Sequence, residues 1–389
     1  MKFRHSVFPL TLGLLVCAIL QAQRKEIIGY YPSWKVKKDS VSLTPEKIRY
    51  DKLTMVNFAF LYPRTDGEIG SRDSLPEIDD WILGGERVNR TGDRIPGTSL
   101  ADRAHAHNVK ALVSIGGWGG STEFSQIAAS LQKRATFAAA CVHLVRDYRL
   151  DGVDIDWEYP CYAPHNGTPD DKLNFTILLQ NIRDSLDILG NEMGRHLLLT
   201  AALPAGSPHA DGIDIGEVAQ ILDYLNIMTY DFANPWTELS GHNSPLYGDR
   251  GSLEASLRFY SRDHGVPGKK ITLGLPFYGY AFKNCTSRGS KHGGPDAELF
   301  PGGAASFSML ADVRKNYQRQ WDDSAKVPYF LTPSGSWVSF DDEESIKLKA
   351  DFVQQSVAAG LIIWEITDDV LADGSTPLLD IINTSFKMR

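Results

Sequence analysis

The chain has 389 residues, 42% hydrophobic and 23% charged, which are values of a folded globular protein and exclude a wholly disordered chain. Its formal net charge is −8, and no run of Lys and Arg offers the basic stripe that a nucleic-acid partner needs against its phosphates. Aromatic residues make up 10%, with 8 Trp and 15 Tyr, enough to serve both core packing and stacking on ligand rings.

At the N-terminus, Lys2 and Arg4 precede an apolar run from Val7 to Leu20, and Gln21-Ala22-Gln23 follows. A charged start, a short apolar run and a small residue read as a secretory signal peptide over residues 1–22. The run falls short of the roughly 20 residues a bilayer span needs. No later segment reaches that length, so the mature chain is expected to be secreted or periplasmic, without a membrane span. Cys17 lies in the run, but Val16 before it is not small, which disfavours a lipid anchor. Cys141, Cys161 and Cys285 remain, an odd number that allows one disulfide at most. No Cys-x-x-Cys pair exists, and His105 and His107 lack convergent ligands, so neither a metal nor a cofactor is expected.

Along the mature chain, short apolar runs alternate with amphipathic stretches. Strands are expected at Ile27–Tyr31, Leu53–Phe60, Val109–Ile115, Gly152–Asp156, Leu197–Ala202, Tyr224–Met228, Ile271–Phe277 and Leu361–Trp364. Helices are expected at Glu123–Tyr148, Asp170–Leu189, Ser252–His264 and Glu344–Ala359. Strands rich in Val, Ile and Leu between helices form a parallel sheet, and eight such units close into a (β/α)8 TIM barrel. An open doubly wound sheet is the alternative, but no Gly-x-Gly-x-x-Gly turn or phosphate loop follows the first strand. Residues 281–343 are too many for one helical connection. They predict a small α+β insertion between strands seven and eight, leaving 23–280 and 344–389 for the barrel.

The most informative stretch is Asp151-Gly-Val-Asp154-Ile-Asp156-Trp-Glu158. Read as a strand, it alternates strictly: Asp154, Asp156 and Glu158 face one way, Val153, Ile155 and Trp157 the other. The apolar side belongs against the helices and the acidic side inside the barrel, where like charges a few Å apart force at least one pKa upward. Glu158 comes last, at the C-terminal mouth where barrel enzymes keep their chemistry. A raised glutamic acid there suits protonation of a glycosidic oxygen. Asp156 shares its strand and its side, which is poorly placed for attack on the far face of a sugar. That spacing fits substrate assistance, in which a 2-acetamido oxygen attacks the anomeric carbon.

The acidic strand resembles the Asp-x-x-Asp-x-Asp-x-Glu signature of glycoside hydrolase family 18, the chitinases, at Asp151, Asp154, Asp156 and Glu158. The resemblance continues through Gly29-Tyr30-Tyr31-Pro-Ser-Trp34, Asn57-Phe-Ala-Phe60, Ser114-Ile-Gly-Gly117-Trp118, Met228-Thr-Tyr230-Asp231, Gly274-Leu-Pro-Phe-Tyr278 and Ile363-Trp364-Glu365. The segment 281–343 looks like the chitinase insertion domain. The resemblance implies that Glu158 is proton donor and then base, that Asp156 holds the acetamido group, and that Asp154 shares a proton with Asp156. It implies that Tyr230 bonds the acetamido oxygen, that Asp231 touches the same sugar, and that Trp364 is the floor beneath it. Tyr30, Phe60 and Met228 would line that pocket, and Trp34, Trp118 and Trp236 would extend the stacking groove; Gly117 and Tyr278 also count as substrate-binding. The implied partner is chitin or an N-acetylglucosamine oligosaccharide, bound by a monomer. One departure is Ala233-Asn234-Pro235-Trp236, where relatives often carry His-Gly before the Trp. Family members that cut N-glycans or peptidoglycan, and non-catalytic lectins on the same fold, are the competing readings. The intact Glu158 weighs against a lectin.

Overall fold

The computed structural model describes residues 24–36, 43–72, 76–87 and 93–387. The expected signal peptide lies outside the described residues. The strands are β1 (Glu26–Pro32), β2 (Met55–Pro63), β3 (Ile69–Gly70), β4 (Lys110–Gly116), β5 (Gly152–Asp156), β6 (Leu198–Pro204) and β7 (Tyr224–Met228). They continue with β8 (Ile271–Pro276), β9 (Tyr278–Phe282), β10 (Ala304–Ser306), β11 (Gln320–Asp322), β12 (Val327–Leu331), β13 (Trp337–Ser339) and β14 (Gly360–Trp364).

Strands β1, β14, β8, β7, β6, β5, β4 and β2 pair side by side, and β2 closes back onto β1. All these pairings are parallel. The result is the expected closed eight-stranded barrel with helices outside. Each of its strands is buried on both faces, which is why they read as nearly continuous apolar runs. The outward side of β5 shows the packing that the alternation demanded. Val153, Ile155 and Trp157 join one large core with Phe124, Phe137 and Phe175. Trp157 stacks on Phe124 at 5.3 Å and meets Phe175 edge-on at 5.6 Å. A smaller cluster, including Ile28, Met55, Leu112, Leu198 and Ile362, fills the interior.

Two expected helices differ. The stretch from Glu123 is two helices, Phe124–Ala129 and Leu131–Asp147. Ser130 between them is extended, and its side chain accepts from the Lys133 amide, so a serine able to cap the second helix interrupts the apolar pattern without a Gly or Pro. The stretch from Ser252 starts as an α-helix over Leu253–Arg258 and widens into a π turn over Phe259–Asp263.

Between β8 and β14 the chain builds a second, antiparallel sheet in the order β10-β9-β13-β12-β11. Its first strand begins at Tyr278, just beyond the end of β8. It has its own core, which includes Ala281, Phe300, Leu310, Phe330, Val338 and Phe340. A buried ion pair ties it to the barrel: Lys349, on the helix Glu343–Gln355, donates to both oxygens of Asp341 at 2.6 and 2.7 Å and to Ser244 at 3.1 Å. Removing one partner of such a pair strands a buried charge. All three cysteines of the described residues are free, so no disulfide forms among them.

Candidate active site

Asp154 sits at the centre of the barrel with no exposure. The Tyr30 hydroxyl (2.9 Å) and Ser114 Oγ (2.6 Å) donate to its Oδ2, and Thr200 Oγ1 (2.5 Å) and Asn226 Nδ2 (3.0 Å) to its Oδ1. Thr272 donates to Asn226 Oδ1 at 2.7 Å, which fixes the amide orientation. Burial pushes the Asp154 carboxyl up, and the four donors pull it back toward the ionised form.

Asp156 is one step nearer the mouth and only 4% exposed. Its Oδ1 is buried and has no partner among the described residues. Burial first, then Glu158 and Asp154, hold its carboxyl well above the ordinary range, so the neutral acid is favoured. Asp154, one step deeper on the same side of β5, is among the groups whose charge raises Asp156.

Glu158 follows the end of β5. Its amide donates to Ser121 Oγ at 2.8 Å, and its carbonyl accepts from His165 Nδ1 at 2.6 Å, which requires the proton on Nδ1. Burial, with a smaller push from the Asp231 charge, raises its carboxyl to about 7. A carboxyl at that level still holds a proton that it can give up in neutral or mildly acid solution. β4 can lie this close to β5 because Gly116 has no Cβ. One there would stand 2.1 Å from the Asp156 carbonyl oxygen. Asp151, the first acid of that stretch, is engaged away from the cleft, where it joins His105, Arg195 and the Ala111 amide.

Two adjoining hollows meet at Glu158. The smaller, about 430 Å³, is lined by Asp156, Trp34, Phe60, Tyr62, Arg72 and Trp364 among others. The larger, about 920 Å³, is lined by Tyr159, Tyr162, His209, Asn234, Trp236 and Tyr280 among others. Trp118, Glu158, Met228, Tyr230 and Asp231 line both. Trp364 stacks on Phe60 at 5.4 Å, and Phe60 on Trp34 at 5.8 Å, making a continuous aromatic floor. Trp118 and Trp236 are 56% and 67% exposed, uncommon for indoles unless a ligand covers them.

Three residues expected to touch substrate lie behind the surface. Tyr30 is buried, edge-on to Trp364 at 5.7 Å, with its hydroxyl on Asp154. Gly117 is covered by Phe60, whose ring would lie 2.5 Å from a Cβ there; Gly119 lines the hollow instead. Tyr278 and Tyr280 both donate to Asp231 Oδ1, at 2.6 and 2.8 Å, and only Tyr280 reaches the cleft. Sequence reasoning missed Tyr280, although it shares the parity of Tyr278 on β9. It also missed Ser114, Thr200 and Asn226 as supports of Asp154, although each is a polar residue on the inward side of an apolar strand. Tyr62, Arg72, Tyr159, Tyr162 and His209 lie outside the barrel strands or at their ends, where alternation gives no signal. Glu365 accepts from Lys35 at 2.5 Å and lines neither hollow.

A family model described as Glycosyl hydrolases family 18 matches residues 26–369. The chain belongs to that family. Among family-18 relatives, Chitinase A1 of Niallia circulans is 32% identical over 401 residues, covering 90% of this chain. The present chain spans only 57% of the length of that relative. A solved family-18 N-acetylglucosaminidase from Paenibacillus barengoltzii is 32% identical with a TM-score of 0.73, covering 93% of this chain and 99% of its own. The Group IV chitinase of Ostrinia furnacalis is 27% identical with a TM-score of 0.80, covering 93% and 99%. The family-18 match takes in β1 through β14 and therefore every acid of the central strand.

Proposed function

We propose that the chain is an exported chitinase that cleaves β-1,4-linked N-acetylglucosamine with help from the substrate's own acetamido group. The observation that carries this reading is Asp156 Oδ1, a buried acceptor without a partner beside a glutamic acid raised to about 7. An unsatisfied buried oxygen costs about 1–3 kcal/mol, and turning the carboxyl toward the cleft, where an acetamido N–H can meet it, would satisfy it. In the proposed reaction Glu158 gives its proton to the glycosidic oxygen as the bond from that oxygen to the anomeric carbon breaks. The acetamido oxygen supplies the electron pair and closes an oxazolinium ring, with Asp156 on its nitrogen and Tyr230 on its oxygen. Water then attacks the same carbon and gives a proton to the Glu158 carboxylate. The ring opens and the β configuration returns.

Two other acids near the cleft are poor nucleophiles. Asp231 has two tyrosine hydroxyls on one oxygen, and Glu365 is held by Lys35 and Thr367. Asp154 keeps its four-donor site and fixes the charge behind Asp156. The second sheet, which starts at Tyr278, just before the 281–343 segment read as a chitinase insertion domain, raises one wall through Tyr280. Export rests on residues 1–22, and release of the chain cut near Ala22 into the medium of an expressing cell would support it.

The test is cleavage of labelled chito-oligosaccharides beside an N-glycan and a peptidoglycan fragment, with Asp156→Asn as control. The reading expects cleavage of the chito-oligosaccharides alone. It expects a loss of at least about 10²-fold in kcat for Asp156→Asn, because one removed donor or charge partner at a transition state costs that much. Preferential cleavage of the N-glycan would overturn the substrate, and an active Asp156→Asn would overturn the mechanism.

A further inference from the structure

The cleft is acidic except at one point. Among the described residues lining its two hollows, Asp156, Glu158 and Asp231 are the carboxylic acids, and Arg72 is the only Lys or Arg. Its position follows from the chain path. β2 runs past the mouth of the barrel and turns back as β3, pairing Tyr62 with Gly70, so the residues after β3 return over the end of β2. The Arg72 guanidinium comes to 5.7 Å from the Trp34 ring centre and 5.6 Å from the Tyr62 ring centre. Contacts of that length over two electron-rich rings hold a guanidinium in place. Asp79, on the helix Pro76–Gly84, is the carboxyl that feels the Arg72 charge, but it is buried, lines neither hollow, and is pushed by that burial toward the neutral acid, so it offsets the guanidinium only in part.

We propose that Arg72 makes the Trp34 end of the cleft selective for acetylated over deacetylated sugar, by repelling the ammonium of a glucosamine bound there. This inference rests on the chito-oligosaccharide reading and deepens it. An N-acetylglucosamine unit is neutral and meets the guanidinium without charge. A glucosamine below its pKa carries an ammonium, and two like charges several Å apart in a partly enclosed groove repel by enough to lower affinity roughly five- to tenfold. The effect is local. Near the Asp231 carboxylate the same ammonium would be attracted, so a penalty from Arg72 falls on one position in the chain and not on all.

The experiment uses pentasaccharides of N-acetylglucosamine in which a single glucosamine occupies each position in turn. Binding to the Glu158→Gln protein is measured by calorimetry at pH 6, as a ratio to the fully acetylated pentasaccharide. One placement on the Trp34 side is expected to bind roughly five- to tenfold more weakly, and 1 M salt should shrink that loss. Arg72→Gln should abolish it, Arg72→Glu should invert it, and Arg72→Lys should retain it. A ratio that is the same with Arg, Gln and Glu at position 72 overturns the proposal. So does a loss unaffected by salt in the chain with Arg72 intact, a measurement that holds even if the variants fold poorly. Binding without cleavage of the fully acetylated pentasaccharide by the chain with Glu158 intact would overturn the chitinase reading and leave the ratio to decide on Arg72. No binding of any pentasaccharide overturns both.

Discussion

Replacing Glu158 by Gln should make the protein inactive and, above neutral pH, more stable. The folded chain holds this carboxyl at about 7 against an ordinary 4.5, chiefly by burial. The native state therefore keeps a proton that the unfolded chain releases. Stability from that proton is full below about 4.5 and is lost as pH rises through about 7. The whole gap corresponds to at most about 3 kcal/mol. Glu158 is partly open to the cleft, and water there reduces the figure to about 1–2 kcal/mol. Gln has nearly the same shape and does not titrate, so it escapes the loss. For a chain of this size, that is a rise in Tm of about 1–3 °C at pH 8.5, with almost none at pH 4. Scanning calorimetry across pH 4 to 8.5 reads it, beside a kcat that should fall by roughly 10²–10⁴-fold or more. A Tm difference that does not change with pH, or a variant less stable than its parent at pH 8.5, would refute the claim that Glu158 is held protonated.

The same group sets the alkaline limb of activity: kcat/KM should fall about tenfold per pH unit above about 7. Burial and then the Asp231 charge raise Glu158, so Asp231→Asn should move that limb toward acid by up to about one unit, and an unmoved limb counts against the coupling. Gly117→Ala puts a Cβ against the Phe60 ring at a backbone φ of 75°. It should cost about 1–3 kcal/mol of stability and raise KM several-fold by moving Phe60 off Trp364, whereas an unchanged KM and Tm would contradict the packing described.

What the sequence made legible follows from alternation. The eight barrel strands lie within two or three residues of where apolar runs placed them, because a parallel strand buried on both faces tolerates little else. The acidic side of β5 was legible for the same reason, since Val153, Ile155 and Trp157 had to face helices. The two-residue period also carried information left unused, in Asn226 on β7 and in Leu112 and Ser114 on β4. The break at Ser130 was hidden because a serine that caps one helix looks, in an apolar pattern, like an exposed position in a longer one. Tyr162, His209 and Arg72 were not legible, since they reach the cleft through loop paths that no periodicity encodes. Cis peptide bonds at Ala59-Phe60, Glu158-Tyr159 and Trp364-Glu365 adjoin the cleft residues Phe60, Glu158 and Trp364, and none involves a proline that would have flagged it.

In the proposed reaction the substrate's acetamido oxygen, and not a carboxylate or a water, first attacks the anomeric carbon. A proton NMR time course on a chito-oligosaccharide, read before mutarotation, tests it most directly when run beside a fully deacetylated chain of the same length. Two inversions at one carbon restore its configuration, so the new reducing end should appear as the β-anomer and the deacetylated chain should not be cut. Initial release of the α-anomer, or comparable cleavage of the deacetylated chain, would contradict it.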